Sequence, residues 1–566
     1  MKIAWYPLYC RYTNAKPSRK MKQLFILFLI SFSLFACKSE PKEVAKTTTE
    51  PQPFVWEAAN VYFMLTDRFY NGNKENDLNF DRTKEPAKLR GFMGGDMKGI
   101  TQKIKEGYFD DLGINAIWFS PVLEQIHDST DEGTGNTYAF HGYWTKDWTQ
   151  FDPNFGTAAD FKELMETAHE HGIRILMDVV MNHTGPVTEK DPVWDDNWVR
   201  TEPGCSYQNY DTAVNCTLVK NLPDVLTNST ETVSLPTPLV EKWKAEGRYE
   251  AEMKELDEFF KKTGLAKTPK NYIIKWLTDY VREYGVDGYR VDTVKHVEES
   301  AWNELNKQAK TAFTEWKEAN PEAVLDDNSF FMLGELYGYS IDHKRFYDFG
   351  DKKVDYYANG FDNLINFQFK YDAKNDYETI FTKYDNILHN DLKGKSVMNY
   401  ISSHDDGDPF DKARTKPYES ATKLLLTPGI SQIYYGDETK RPLIIEGTNG
   451  DATLRSFMNW EMMDDAATKK LLTHWQKLGQ FRKAHPAVGA GKHQMISKSP
   501  YVFSRTFNSD KVVVGLDVAK GKKEINVGKQ FKNGTTVTDH YSGKTATVSN
   551  EKVTIDSEFS IVLLHE

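Results

Sequence analysis

Short, almost continuous apolar runs alternate along this chain with longer stretches in which apolar residues return every third or fourth position. Val61-Tyr-Phe-Met-Leu65, Ala116-Ile-Trp-Phe-Ser-Pro121 and Arg174-Ile-Leu-Met-Asp-Val-Val180 are of the first kind. A run that is apolar on both faces predicts a parallel strand covered on both sides. Met97–Leu112 is of the second kind, with Ile100, Ile104 and Phe109 on one helical face and Gly113 as its stop. Thr157 can cap the next helix, with Asp160 at its third position; Phe161, Leu164, Met165 and Ala168 form the inner face, and Gly172 ends it. The rhythm breaks after Asn182, in a long stretch that includes the charged, helix-like Val240–Lys262. It resumes at Asn271–Tyr284, where Ile274, Leu277 and Val281 share a face. Gly285 ends that helix and Gly288 opens a fourth strand. Further strands are predicted at Phe330–Leu336, near Phe361–Phe367, at Val397–Ser403 and at Ile430–Tyr435, with a last helix at Leu471–Ala484. Beyond it the pattern changes to short alternating runs, Tyr501-Val-Phe, Val512-Val-Val-Gly-Leu and Ser560-Ile-Val-Leu-Leu, with hairpin signals at Asn533-Gly534 and Ser542-Gly543.

Strand–helix alternation of this kind predicts an α/β fold, a (β/α)8 barrel. The expected organisation is a barrel built from residues 56–182 and 271–488, an insertion domain at 183–270 after the third strand, and a C-terminal antiparallel β-sandwich at 489–566. Residues 1–37 read as a targeting segment and 38–55 as a flexible linker, polar and marked by Pro41, Pro51 and Pro53. The apolar run at 24–36 is short for a membrane span and fits a signal-peptide core, with Lys22 before it. Leu34-Phe-Ala-Cys37 resembles a bacterial lipoprotein cleavage box. That implies a lipid on Cys37 and an exported, membrane-anchored protein on the periplasmic or cell-surface face. An ordinary signal peptide with an incidental cysteine is the alternative, and Met21 is an alternative start.

Aromatics at 13% are abundant, enough for core and interface packing and for exposed stacking faces besides. A net charge of −11 without a long basic run argues against nucleic acid as a partner. Of the four cysteines, Cys10 and Cys37 fall in the targeting region. Cys205 and Cys216 are near neighbours in exported sequence, where an oxidising compartment favours a disulfide; two free thiols are the alternative.

The chemistry concentrates at strand ends. In Gly285-Val-Asp-Gly-Tyr-Arg-Val-Asp-Thr-Val-Lys-His296, Arg290 and Asp292 share one strand face, so the arginine can hold the carboxylate ionised and oriented. Asp178-Val-Val-Met-Asn-His183, Gly334-Glu335 and Ser403-His404-Asp405 each close another apolar run. In a (β/α)8 barrel those ends meet at one mouth. With these motifs in this order, the chain from about Val61 onward resembles the α-amylase family of retaining glycoside hydrolases, glycoside hydrolase family 13.

The resemblance implies that Asp292 is the nucleophile, Glu335 the general acid/base and Asp405 the third carboxylate, gripping sugar hydroxyls. It makes His183 and His404 sugar ligands. His141-Gly-Tyr-Trp144 corresponds to a family segment in which Tyr143 stacks on the same ring, with His141 nearby. Arg290 supports Asp292, and Lys295 and His296 lie on the leaving-group side. Asn182, Asp224 and the His296 carbonyl match a structural calcium site, and oxygen ligands suit that ion. A second calcium is implied by Asn71, Asn73, Asn76, Asp77, Gly94 and Asp96, which match a site in cyclodextrin glucanotransferases. Leu222-Pro-Asp-Val225 is close to the form found in amylases, and Ser403 stands where the family carries asparagine. The implied reaction is cleavage of internal α-1,4 bonds in starch, glycogen or maltodextrins. Alternatives are a cyclomaltodextrinase- or neopullulanase-like enzyme, a glucanotransferase, or a non-catalytic glucan-binding lipoprotein. Other glucan-uptake proteins are candidate partners.

Overall fold

The computed structural model describes residues 52–131 and 133–566. The apolar run at 24–36, Cys10, the lipidation candidate Cys37 and the linker up to residue 51 lie outside the described residues.

Eight parallel strands close a barrel: β1 (Asn60–Met64), β2 (Ala116–Phe119), β3 (Arg174–Val179), β4 (Gly288–Val291), β5 (Phe331–Gly334), β6 (Asn363–Asn366), β7 (Ser396–Tyr400) and β8 (Ile430–Tyr434). Each pairs with its neighbours in sequence, and β8 closes on β1. Their residues are buried throughout, the reason their sequences carry no polar alternation. Helices cover the outside, among them α1 (Met97–Lys105), α2 (Ala158–Glu170), α3 (Pro269–Tyr284) and α4 (Glu299–Ala319). Thr157 and Asp160 form a reciprocal capping box at the start of α2.

Two helices are shorter than their periodicity predicts, for one reason. The 97–112 stretch stops at Lys105 because Gly107 takes a left-handed φ of 76°, and a separate turn, Tyr108–Asp111, follows. The 240–262 stretch is two helices, Thr237–Ala245 and Tyr249–Thr263, parted at Gly247 with φ 72°. Both glycines leave the right-handed well at no steric cost, and the apolar repeat runs on across the break.

The excursion between β2 and α2 also has structure that the hydrophobic pattern does not announce. Leu123–Gln125 pairs antiparallel with Thr145–Phe151, and Asp147 on the longer strand reaches Lys242 and Arg248 of the insertion. After the last barrel helix, six strands form an antiparallel sheet and two more form a separate pair. Val502, Val513, Ile525, Val537, Val553 and Val562 belong to the core they share.

Parallel register sets what happens at the mouth. Arg290 stands level with Asp178 on β3 and Leu333 on β5, and Val291 with Gly334. Asp292 and Glu335 are each the next residue, so they emerge level from adjacent strands.

Candidate active site

Arg290, buried, is the centre of the charge network. Its Nη1 lies 2.9 Å from Asp178 Oδ1 and 2.8 Å from Asp292 Oδ1, and its Nη2 lies 3.2 Å from Glu335 Oε2. One guanidinium thus touches three carboxylates from β3, β4 and β5. Neighbouring strands run about 4.8 Å apart, so level residues on β4 and β5 start from a backbone spacing that suits the about 5–5.5 Å between carboxyl groups of a retaining glycosidase.

Asp178 is locked by other donors. Trp118 Nε1 and Tyr143 Oη donate to its Oδ2 at 2.9 and 2.8 Å. Burial raises its proton affinity, and Arg290 opposes that shift. Glu335 is the poised group. Burial pushes its proton affinity up, Arg290 works against that, and Asp292 and Asp405 add to the rise. The backbone helps to aim it: Thr293 N donates to Glu335 Oε2 at 3.0 Å. Thr293 holds φ 49°, an unusual backbone for a β-branched residue, directly after Asp292. Such strain persists where surrounding contacts enforce it. Asp178 and Thr293 both lie within the quoted strand-end motifs, but nothing in the local sequence pointed to these contacts with Arg290 and Glu335.

Asp405 sits across the mouth with its carboxylate 43% exposed to the cleft. The protein around the cleft strips part of its solvent and so acts to raise its proton affinity, but His404, Arg455 and Arg290 hold it well below the usual carboxylate range. Arg455 reaches it from the segment after β8, and also pairs with Asp451. Nothing in the local sequence pointed to Arg455, fifty positions away. Tyr143 and His404 lie ring over ring, centroids 5.5 Å apart, and Arg290 lies 5.6 Å from the Tyr143 centroid. His141 Nδ1 accepts from Tyr143 N at 3.1 Å. His183 is occupied within the protein: its Nε2 meets the Tyr143 carbonyl at 3.1 Å and its Nδ1 lies 3.3 Å from the Asn182 amide. Ser403 Oγ lies 3.3 Å from His404 Nδ1, and so contacts the motif histidine itself. Lys295 and His296 follow β4, and Lys295 Nζ donates to the Tyr337 carbonyl at 3.3 Å. The cleft volume beside Glu335 and Asp405, about 260 Å³, is bordered by Tyr337, Lys370, Tyr371 and Asp406.

Two groups of oxygens could hold a cation. The side-chain amide of Asn182 meets Asp224 Oδ1 at 3.1 Å and the His296 carbonyl at 3.0 Å. With its nitrogen turned inward it donates to both; with its oxygen inward, three oxygens converge without a donor. Burial pushes the Asp224 carboxyl up to about 8 even though Arg200 lies 2.9 Å from its other oxygen. A carboxylate short of positive charge fits a cation. In the N-terminal loop, Asn71 Oδ1 and Asn76 Oδ1 are buried without a partner. Gly94 lies so close that a Cβ there would stand 2.3 Å from Asn71 Nδ2 and 2.6 Å from Asp77 Oδ1. Asp96 is otherwise engaged: it accepts from Gly72, Asn73 and Gly99 amides at 3.1, 2.8 and 2.7 Å. Asn73 Oδ1 accepts from Glu75 N. Cys205 and Cys216 are joined by a disulfide, so the free-thiol alternative falls.

Comparison with known proteins places this arrangement. The periplasmic alpha-amylase of Escherichia coli K12 is 37% identical, over 83% of this chain and 74% of that protein. A cyclomaltodextrin glucanotransferase of Thermoanaerobacterium thermosulfurigenes is 26% identical, over 88% of this chain and 65% of that protein. An alpha-amylase structure from Geobacillus thermoleovorans, solved with acarbose, superposes with a TM-score of 0.63 at 21% identity, covering 91% of this chain and 100% of that one, a likeness of fold. The model of the alpha-amylase catalytic domain matches residues 63–466. On that match, across the barrel that carries Asp292 and Glu335, the chain belongs to the alpha-amylase family of glycoside hydrolases, family 13.

Proposed function

We propose that this protein is an exported α-amylase that hydrolyses internal α-1,4 bonds of starch, glycogen or maltodextrins with retention. The observation that carries the reading is the level emergence of Asp292 and Glu335 from adjacent strands onto one shared guanidinium. Their environments split their tasks. Glu335 keeps its proton and gives it to the departing glycosidic oxygen, while the Asp292 carboxylate attacks the anomeric carbon as that bond breaks. Glu335, now ionised, then takes a proton from water as the water oxygen displaces Asp292 from the sugar. Arg290 orients Asp292 for the attack. Asp405, ionised and open to the cleft, grips sugar hydroxyls as positive charge develops on the ring. Tyr143 supplies the stacking face, His141 and His404 stand beside it, His404 with its Nε2 2.8 Å from Asp405, and Lys295 and His296 flank the leaving group. His183, with both nitrogens engaged, acts by holding Tyr143.

Calcium fits both oxygen groups. Asn182, Asp224 and the His296 carbonyl would hold one ion between barrel and insertion; Asn71, Asn76, Asp77 and Gly94, with Asn73 and Asp96 bracing the loop, would hold the other. A bound ion supplies fixed positive charge that ties those segments together. Export and anchoring through Cys37 rest on the targeting segment, and a periplasmic relative supports export. Glucan-uptake proteins at the same membrane are the candidate partners.

A second reading keeps the chemistry but passes the glycosyl group to a sugar, as in the glucanotransferase relatives. Cyclising members of the family carry an aromatic residue four positions before the insertion-domain aspartate; here that position is Lys220, with no comparable stacking face. Product analysis on amylose, pullulan and cyclodextrin decides. Linear maltooligosaccharides from amylose are expected; cyclodextrins as the main product would overturn hydrolysis as the main outcome.

A further inference from the structure

The Cys205–Cys216 disulfide stands beside His296, in the turn that follows the nucleophile. Its two sulfurs and one ring nitrogen of His296 lie within 4.8 Å of one another. The ring is prepared as a ligand. Ala213, inside the loop that the disulfide closes, offers its carbonyl to His296 Nδ1 at 2.8 Å. A carbonyl only accepts, so Nδ1 carries the proton of the neutral ring and Nε2 keeps its lone pair. Metal-binding histidines are commonly held this way, with the second nitrogen donating to a backbone carbonyl. Both cysteines are placed by contacts that do not pass through sulfur. Cys205 N donates to the Thr217 carbonyl at 3.0 Å and Thr217 N to the Pro203 carbonyl at 2.8 Å, a short ladder that ties the two ends of the loop together. The loop itself is anchored elsewhere: Tyr210 N donates to Asp351 Oδ1 at 2.8 Å, and Tyr210 Oη donates to Glu299. Parting the sulfurs therefore leaves both cysteines beside His296. The donor set is soft. Two thiolates and an imidazole select zinc and its chemical kin over calcium, which takes oxygen. Tetrahedral zinc, with bonds of about 2.3 Å to sulfur and about 2.1 Å to nitrogen, spaces sulfurs about 3.8 Å apart and a sulfur about 3.6 Å from nitrogen. Side-chain rotation is enough to bring three atoms from within 4.8 Å to that spacing.

We propose that Cys205, Cys216 and His296 form a latent site for a soft divalent cation, zinc above all, which the disulfide keeps shut and whose filling arrests the adjacent active site. Opening it takes a dithiol reductant. The reagent gives two electrons and two protons to the disulfide, which parts into two thiols as the reagent closes to its own disulfide. Zinc then binds both sulfurs and His296, the two thiol protons go to solvent, and water completes the tetrahedron. The ion fixes the ring that follows Lys295, beside the leaving group, so turnover stops while Arg290, Asp292 and Glu335 keep the contacts described above. His296 thereby meets a hard ion through its carbonyl and a soft one through its ring. The disulfide is a guard as well as a brace: oxidised, it offers a metal no thiolate.

The test has a binding arm that needs no activity and a kinetic arm that rests on the hydrolase reading. The parent, with calcium in excess, is reduced with a dithiol, freed of the reagent under nitrogen and titrated with cobalt, a coloured substitute for zinc. The oxidised parent and the Cys205→Ser/Cys216→Ser variant are titrated alongside. The reduced parent is expected to show thiolate-to-cobalt charge-transfer absorption that saturates at one ion per chain, and the other two are expected to show none. His296→Ala, reduced, should bind cobalt about tenfold more weakly or worse, having lost a ligand. With zinc in place of cobalt, kcat on maltoheptaose should fall by roughly 10–100-fold in the reduced parent alone, the cost of misplacing groups beside the reacting bond. A chelator that prefers zinc to calcium should restore it. The site is overturned if the reduced parent shows no charge-transfer band, if the serine variant shows one, if His296→Ala binds as tightly as the parent, or if reduction alone abolishes the circular dichroism. The arrest is overturned if metal fills the site with turnover unchanged, or if zinc inhibits the oxidised parent as strongly. A parent that never cleaves maltoheptaose overturns the arrest together with the hydrolase reading, while the binding arm still decides the site. Alkylation of the reduced thiols, which should erase the band, replaces the serine variant if that protein does not fold.

Discussion

Two buried charge clusters in this protein both set carboxylates against basic side chains, yet shift a carboxyl's proton affinity in opposite directions. At the barrel mouth, Arg290 is shared among Asp178, Asp292 and Glu335. Beside the insertion, Lys242 and Arg248 both converge on Asp147, which is fully buried and also accepts from Thr149. Burial raises proton affinity in both places. At Asp147, two cations reverse the shift and hold the carboxyl below its usual range. At Glu335, a fraction of one cation and two like-charged neighbours leave it raised. The difference lies in how many cations each buried carboxylate commands, and it separates a structural salt bridge from a proton donor held in reserve.

The comparison is open to breakage at four points. Glu335→Gln removes the reserve proton and should cut kcat on maltoheptaose by roughly 10²–10⁴-fold in a protein whose circular dichroism is unchanged. Retention of more than about a tenth of the activity would detach Glu335 from the chemistry. Asp147→Asn should instead act on stability, by about 1–3 kcal/mol in urea denaturation at pH 7, because it removes the buried charge that Lys242 and Arg248 share, leaving them Glu124, Glu246 and Glu252. The sign follows from its depressed folded-state proton affinity: this stabilisation exists above the unfolded pKa and fades as pH falls through the folded one. The gap between parent and variant should therefore close in acid, and equal stability at pH 7 would dissolve the contrast.

A third cluster sharpens the comparison because its carboxylate, Asp77, accepts from a neutral amide, that of Asn71. Asn71 Oδ1 and Asn76 Oδ1 are buried and unpaired beside Asp77. At free calcium about a hundred times its Kd, one ion there would stabilise the fold by about 2.7 kcal/mol. Chelation should lower the melting temperature, and Asp77→Ala should remove one calcium per chain by metal analysis while turnover stays near the parent's. Unchanged calcium content would abolish the site. The smallest effect is a sign. A carboxyl with raised folded-state proton affinity contributes stability that is full below its unfolded pKa and lost as pH rises through the folded one. Glu335→Gln does not ionise, so it should melt higher than the parent at pH 8, with the difference vanishing towards pH 4. A lower melting temperature at pH 8 would mean that Glu335 is compensated as fully as Asp147.

What was legible in the sequence depended on distance along the chain. The barrel strands were read to within a few residues, since a doubly covered strand writes its burial into every position. The carboxylates were read because each closes such a strand. The two-residue bridge from Arg290 to Asp292 was also visible, since period-two geometry fixes it. Arg455 was not visible: its pairing with Asp405 is made by the segment after β8, and no local pattern encodes a contact of that span. The short hairpin at 123–151 escaped for another reason. Its strands face a polar network through Asp147, so they lack the alternation that announces a half-buried sheet. The loop ligands were half legible. The resemblance implied a cation site there, but backbone amides claim Asp96 and Glu75 N claims Asn73 Oδ1, which only three dimensions reveal.

The register between β4 and β5 has one further consequence. Strand pairing admits only whole-residue steps, and a step of one turns a side chain to the opposite face. The gap between Asp292 and Glu335 is therefore a digital quantity. Loops around the mouth can lengthen, stiffen or change partners, and the chain can drift far in sequence, without nudging that gap by fractions of an ångström. Evolution can rewrite which glucans this barrel receives while the spacing that cuts them stays set, because the ladder offers no intermediate setting.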